Sequence, residues 1–110
     1  MNSPTRKWKR VKVDIRVKLY RADCADAEAL VVRTFEMSGG GLSVYVSETF
    51  TVGTRVTVEI PLPGCEPFRA PAIVRNVRGF RCGLEFPEIK ASQRGAIMRY
   101  LSTVPDVIEI

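Results

Sequence analysis

Two short clusters of residues near the start of this chain have the types and spacing needed to hold an anion and a flat aromatic ligand. Arg6 and Arg10 are four residues apart, and further along the chain reads Glu36-Met37-Ser38-Gly39-Gly40-Gly41. One planar, permanently charged guanidinium can donate two parallel hydrogen bonds to a phosphate or to the O6/N7 edge of guanine, and it can also stack on a base. The arginines therefore suit a site for an anion and a purine.

The glycines at 39–41 suit a sharp turn against a flat ligand, because they tolerate positive φ and have no side chains. The Ser38 hydroxyl adds a local donor or acceptor. Taken one at a time, both clusters also fit simpler interpretations, a solvated basic leader and an ordinary hairpin turn. The order of the two clusters along the chain, and the elements around them, favour the binding interpretation.

Length and composition predict one soluble globular domain. The chain has 110 residues, of which 45% are hydrophobic and 26% charged, enough for one core without disulfides or metals. It has no apolar run long enough to span a membrane and no signal peptide, so we expect a cytoplasmic protein without membrane insertion. The net charge of +5 is concentrated within the first eighteen residues and predicts attraction to polyanions.

Catalysis and metal binding are not expected. The chain has no histidine, its three cysteines are widely spaced without a CxxC pair, and Ser38 has no identifiable base. We therefore expect no enzyme, no metal and no cofactor. Cys82 lies in an alternating apolar stretch and is predicted to be a small core residue, whereas Cys24 and Cys65 fall in predicted loops.

Alternating apolar and polar residues predict six short antiparallel strands. The first covers 11–19, the second 29–35, the third begins at Leu42, the fourth covers 55–62, the fifth runs to Val77 from a start bracketed by Pro67 and Pro71, and the sixth covers 80–86. Proline cannot donate to a ladder, so the fifth strand is predicted to be an edge or to carry a bulge. Six such strands favour a small closed or split β-barrel, with a sandwich as the alternative.

After Pro87 the apolar period changes to that of a helix, with Ile97 and Leu101 on the apolar stripe. The predicted organisation is a single domain over 1–110: a flexible ligand-binding leader at 1–10, a barrel at 11–86, one carboxy-terminal helix at 88–104 and an apolar tail at 105–110.

The arrangement resembles the PilZ domains, bacterial receptors for cyclic di-GMP. The resemblance covers Arg6 to about Leu101: RxxxR before strand one, a D/NxSxxG-type turn after strand two, a sixth strand reading Gly83-Leu84-Glu85-Phe86, and a helix ending Arg99-Tyr100-Leu101. It implies a six-stranded barrel with a carboxy-terminal helix that binds cyclic di-GMP, often as an intercalated dimer, on its outer face.

Carried over by position, Arg6 and Arg10 would contact guanine and phosphate groups, and Ser38 and Gly41 would line the guanine-facing turn. The resemblance also implies a leader that orders on the ligand and changes the surface shown to a protein effector. This chain departs from the family pattern at Glu36, where Asp or Asn is usual. A glutamate can still accept from the N1–H and amine of guanine, or it can pair with an arginine instead.

Trp8, between the two arginines, has two open interpretations: stacking on a guanine, or packing as an anchor against the barrel. Two other functions are weighed against the cyclic di-GMP receptor. One is a ligand-blind adaptor that docks a protein. The other is a small nucleic-acid-binding barrel, which is disfavoured because no exposed aromatic stripe is evident, so no stable nucleic-acid complex is expected. A monomer or a weak homodimer fits the sequence.

Overall fold

A computed structural model of the protein describes residues 8–22 and 28–105. In chain order the elements are β1 Arg16–Arg21, β2 Leu30–Ser38, β3 Gly41–Tyr45, β4 Arg55–Ile60, β5 Phe68–Arg78, β6 Arg81–Glu85 and α1 Ala91–Thr103. The strands are antiparallel and close into a barrel in the order β1-β2-β3-β6-β5-β4. The prediction of a mainly β, six-stranded antiparallel barrel with a carboxy-terminal helix is confirmed.

The barrel interior is filled by the apolar residues of the alternating pattern. Val17, Val44, Val58 and Val74, from four different strands, each expose at most 1% of their surface. Cys82 is buried among them, as predicted, and this burial raises the pKa of its thiol. Each strand has a neighbouring strand on both sides, so no strand stands at the free edge of a sheet, which is the advantage of closure for short strands.

The first strand begins five residues later than predicted. Thr34, on β2, explains the difference: its Oγ1 donates to the Val13 carbonyl (2.8 Å) and accepts from the Ile15 N–H (3.1 Å). A buried side chain thus takes the place of ladder bonds, and Val11 forms only an isolated bridge with Met37. The alternation at 11–15 therefore reflects a segment that packs on the barrel without forming regular strand.

The prediction from the prolines of the fifth strand agrees with the pairing of β5. Pro71 pairs with Thr57 of β4, whereas β5 pairs with β6 only from Ile73 onward, so the proline lies where β5 has a paired neighbour on one side only. The bulge in β5 lies further along, where the register to β6 shifts between Val74 and Asn76. β2 also continues to Ser38, so the residues of the second motif lie within and just after this strand.

Helix α1 is shorter than the predicted 88–104. It begins after Lys90, whose N–H donates to the Gln93 side chain (3.3 Å), and it ends at Thr103. Ile97 and Leu101 are buried, as the apolar stripe predicts. Gln93 also donates to the carbonyl of Arg69 (3.0 Å), which attaches the helix to the start of β5.

Candidate functional site

The second motif forms the hairpin that joins β2 to β3. Ser38 pairs with Gly41 across the hairpin. The Ser38 hydroxyl accepts from the Gly40 N–H (3.1 Å) and donates to the Gly41 carbonyl (3.4 Å). The serine is therefore used within the turn, where it holds the Gly39-Gly40 backbone in one shape.

The glycines of this turn are needed because other parts of the protein lie close to their backbone, and not because the backbone takes a left-handed conformation. Among the described residues, positive φ occurs only at Gly53, Gly64 and Gly79, so the expectation that the triplet exploits positive φ is wrong. A β-carbon at Gly41 would instead overlap the carbonyl oxygen of Leu84 on β6. The backbones of β3 and β6 thus meet too closely for any side chain at Gly41.

Trp8 packs against the same turn. A β-carbon added to Gly40 would come within 2.6 Å of the indole Cδ1, and one added to Gly39 within 3.1 Å of the indole Cε3. On helix α1, the Arg94 guanidinium lies over the Trp8 ring at 4.7 Å from the centroid, and its Nε donates to the Gly39 carbonyl (3.0 Å). Trp8 is therefore a packing anchor here, the second of the two interpretations left open by the sequence.

Arg10 and Glu36 are brought together as an ion pair. The Arg10 Nη1 and the Glu36 Oε1 are 3.9 Å apart, and the side chains are 48% and 28% exposed. Such a long, partly exposed pair contributes little to stability. The ion pair agrees with the second role considered for Glu36 in the sequence analysis, pairing with an arginine. Arg6, the other member of the predicted arginine pair, lies outside the described residues.

A cleft of about 710 Å³ on the outer wall of the barrel joins these parts. Its first side carries Trp8, Arg10, Glu36, Ser38 and Gly41, so four of the five predicted site residues line one cavity. Its other side comes from the β5–β6 hairpin, which contributes Arg75, Asn76, Arg78 and Arg81.

Sequence analysis missed this second side. The three-residue spacing of Arg75, Arg78 and Arg81 was a visible signal, but regular alternation cannot place all of them on one face. The β5 bulge and the hairpin turn bring them together. Arg75 pairs with Glu85 (Nε–Oε1 2.6 Å), and Arg81 lies over the rings of Phe35 and Tyr45 at 4.8 and 5.6 Å.

A second, more apolar groove of about 860 Å³ adjoins the cleft and shares Phe35 with it. Its walls include three exposed apolar side chains, Val31 (56%), Tyr45 (45%) and Phe80 (73%). At its rim Arg33 binds Asp14 through two hydrogen bonds, Nε–Oδ1 at 2.9 Å and Nη2–Oδ2 at 2.5 Å. These bonds hold the pKa of the Asp14 carboxyl below its ordinary value.

Within residues 8–22 and 28–105, no group of three or more cysteine and carboxylate side chains is placed to hold a metal ion. In the same part of the chain, no helix has the length and apolar character required to cross a membrane.

The family model for the PilZ domain matches residues 4–103, and this chain belongs to that family. Among solved structures, it is similar to the PilZ domain of CeSA from a cellulose-synthesizing bacterium, with 21% identity and a TM-score of 0.67 over 86% of this chain and 95% of that one. It is also similar to the PilZ domain with c-di-GMP of YcgR from Escherichia coli, with 16% identity and a TM-score of 0.67 over 88% and 91% of the two chains.

A third similar structure is the Bacillus subtilis inhibitor of motility, MotI/DgrA, with 21% identity and a TM-score of 0.71. The match covers 92% of this chain and 54% of that one. At these identities the structural likeness shows the fold. No curated protein sequence matches this chain.

Proposed function

We propose that this chain is a receptor for cyclic di-GMP, a ligand-binding module and not an enzyme, that acts in the cytoplasm. The observation that carries the proposal is the cleft in which Arg10, Glu36, Ser38 and Gly41 meet. Membership of the PilZ family supports it. So does the similar fold of the PilZ domain with c-di-GMP of YcgR from Escherichia coli.

In this proposal each motif has a distinct task. Arg6 and Arg10 bind the phosphates and stack on or pair with guanine, because only a guanidinium presents two parallel donors at fixed charge. Glu36 accepts from the N1–H and amine of a guanine that approaches the turn. Ser38 and Gly41 keep this turn compact, through the hydroxyl bonds and the contact with β6 described above.

We also propose that the leader carrying Arg6 orders on the ligand and that this changes a surface read by a protein effector. A change at the leader would reach the rest of the barrel through Trp8, because its indole contacts both the β2–β3 turn and Arg94 of helix α1. The protein itself would be a monomer or a weak homodimer.

Calorimetric titration with cyclic di-GMP tests the proposal. The wild type should bind, and Arg6→Ala and Arg10→Ala should each weaken binding by about ten- to a hundredfold, the worth of one charge-assisted contact. Arg10→Lys should also lose affinity, because lysine cannot form the planar fork. Arg55→Ala is the matched control, since Arg55 is exposed on β4 and lines neither cavity. Equal heats from the wild type and the double Arg6→Ala, Arg10→Ala variant would refute the assignment.

The alternative is a ligand-blind adaptor that acts by protein–protein contact. The apolar groove with Phe80 and Tyr45 favours it, because large exposed apolar patches mark interaction surfaces. Absence of cyclic di-GMP binding, together with loss of partner binding in a Phe80→Ser variant, would favour the adaptor.

A further inference from the structure

The outer face of the β5–β6 hairpin is built by a bulge. Val74 pairs with Leu84 and Asn76 with Gly83, so Arg75 is an extra residue on the β5 side. Arg75 and Asn76 are consecutive and both exposed, whereas regular alternation would turn one of them into the barrel. The bulge therefore adds an outward polar side chain to the wall of the cleft.

Because Gly83 has no side chain, the Asn76 amide can occupy the space next to its backbone. A β-carbon at Gly83 would overlap the amide nitrogen of Asn76, so this amide lies across bare β6 backbone, within the cleft. Arg78 is also exposed, two residues further along β5. In the part of the chain that the structure describes, the Asn76 amide and the Arg78 guanidinium have no hydrogen-bond or ion-pair partner.

The charges of the cleft are unevenly distributed. Arg10 is paired with Glu36 and Arg75 with Glu85, and all four of these residues line the cavity. Arg78 and Arg81 then leave a surplus of two positive charges, both on the β5–β6 side. A cyclic dinucleotide carries two phosphodiester charges, so the surplus is of the right size and sign for such a ligand.

We propose that this β5–β6 wall is the second half of the ligand site, a proposal that rests on the cyclic di-GMP function above. Arg78 binds a phosphate of the ligand, and the Asn76 amide hydrogen-bonds to the edge of a guanine that the β2–β3 turn does not hold. An amide presents one donor group and one acceptor, which match the adjacent O6 and N1–H of guanine. The same amide can also meet the edge of adenine, so Asn76 contributes affinity more than base discrimination.

Calorimetry with cyclic di-GMP on Arg78→Ala, Arg78→Lys and Asn76→Ala, beside the Arg55→Ala control, tests the wall. Arg78→Ala should weaken binding by about ten- to a hundredfold and Arg78→Lys by less, because a charge is kept while the fork is lost. Asn76→Ala should weaken it by about two- to tenfold, as for one neutral hydrogen bond. The side chains of Arg55, Asn76 and Arg78 are all exposed, so thermal unfolding should show that the variants remain folded.

Two negative results separate the proposals. If the wild type binds and Arg10→Ala binds more weakly, while Arg78→Ala and Asn76→Ala bind as tightly as Arg55→Ala, the proposed role of the β5–β6 wall is refuted and the receptor function stands. If the folded wild type does not bind cyclic di-GMP, both the receptor function and the proposed role of the β5–β6 wall are refuted.

Discussion

The indole of Trp8 lies so close to Gly40 that a single β-carbon on this glycine would come within 2.6 Å of the indole Cδ1. Trp8 precedes the barrel strands in the chain, whereas Gly40 lies in the β2–β3 turn. The contact therefore joins the leader of the first motif to the turn of the second.

Gly40→Ala should displace the indole, because the new methyl group competes with a rigid ring for the same space. The emission of the only tryptophan should shift to longer wavelength and become easier to quench with acrylamide. Arg94→Ala should produce a similar, smaller change by removing the guanidinium over the ring. Arg99→Ala, an exposed arginine on the same helix, is the control; an unchanged spectrum in Gly40→Ala would contradict the packing described here.

Gly41→Ala should destabilise the barrel by at least about 2 kcal/mol, since its methyl group would collide with the Leu84 carbonyl and force two paired strands apart. Gly95→Ala makes the same chemical change within helix α1, where the added carbon meets only the end of the Arg99 side chain at 3.4 Å. It should stabilise the protein by about 0.5–1 kcal/mol, because alanine is the better helix former. Urea unfolding measures the change in the free energy of unfolding for each variant. If the two changes had the same sign, the contact between Gly41 and Leu84 would not be the reason for glycine at position 41.

The Asp14–Arg33 pair should make stability depend on pH in the acid range. The folded pKa of Asp14 is lowered, so the pair stabilises above the unfolded pKa and the contribution disappears as the pH falls through the folded value. Asp14→Asn should therefore lower the melting temperature slightly at neutral pH, and its difference from the wild type should vanish in acid. Glu66→Gln, at an exposed position outside the strands, is the charge-matched control; a difference for Asp14→Asn that persists unchanged at low pH would contradict this account.

The two described thiols should differ strongly in reactivity. Cys65 is exposed, whereas Cys82 is buried inside the barrel and its thiol pKa is raised by this burial. In a Cys24→Ser background, iodoacetamide should label Cys65 in the native protein and Cys82 only in denaturant. Mass spectrometry of timed samples distinguishes the sites, and equal native rates would show that the barrel opens readily.

The elements that sequence analysis predicted well are those governed by local rules. Alternation between Val56 and Ile60 directly reflects a strand with one face in the core, and Ile97 and Leu101 follow the helical period onto one buried face. The glycine turn followed from residue types. Glu36 and Ser38 were predicted as site residues from the resemblance to the PilZ motif, and they lie together in the structure because a short hairpin keeps its own residues near one another.

The predictions that failed depend on partners distant in sequence. Val11 alternates correctly, but whether it forms strand depends on Thr34, whose side chain replaces the ladder bonds there. The glycine triplet was expected to use positive φ, whereas Gly41 is needed for its contact with β6. No local pattern shows which backbone will approach another.

The sequence alone determined the β-rich class, the position of the helix and the two motifs, because side-chain periodicity and turn chemistry act over a few residues. The tertiary structure decided which residues from other parts of the chain lie beside each motif. Barrel closure and the β5 bulge bring Arg78 and Asn76 into the same cleft as Arg10, and packing places Trp8 between the turn and Arg94. Register and closure are properties of the whole sheet, so residues more than sixty positions apart form one site only after every strand has found its partner.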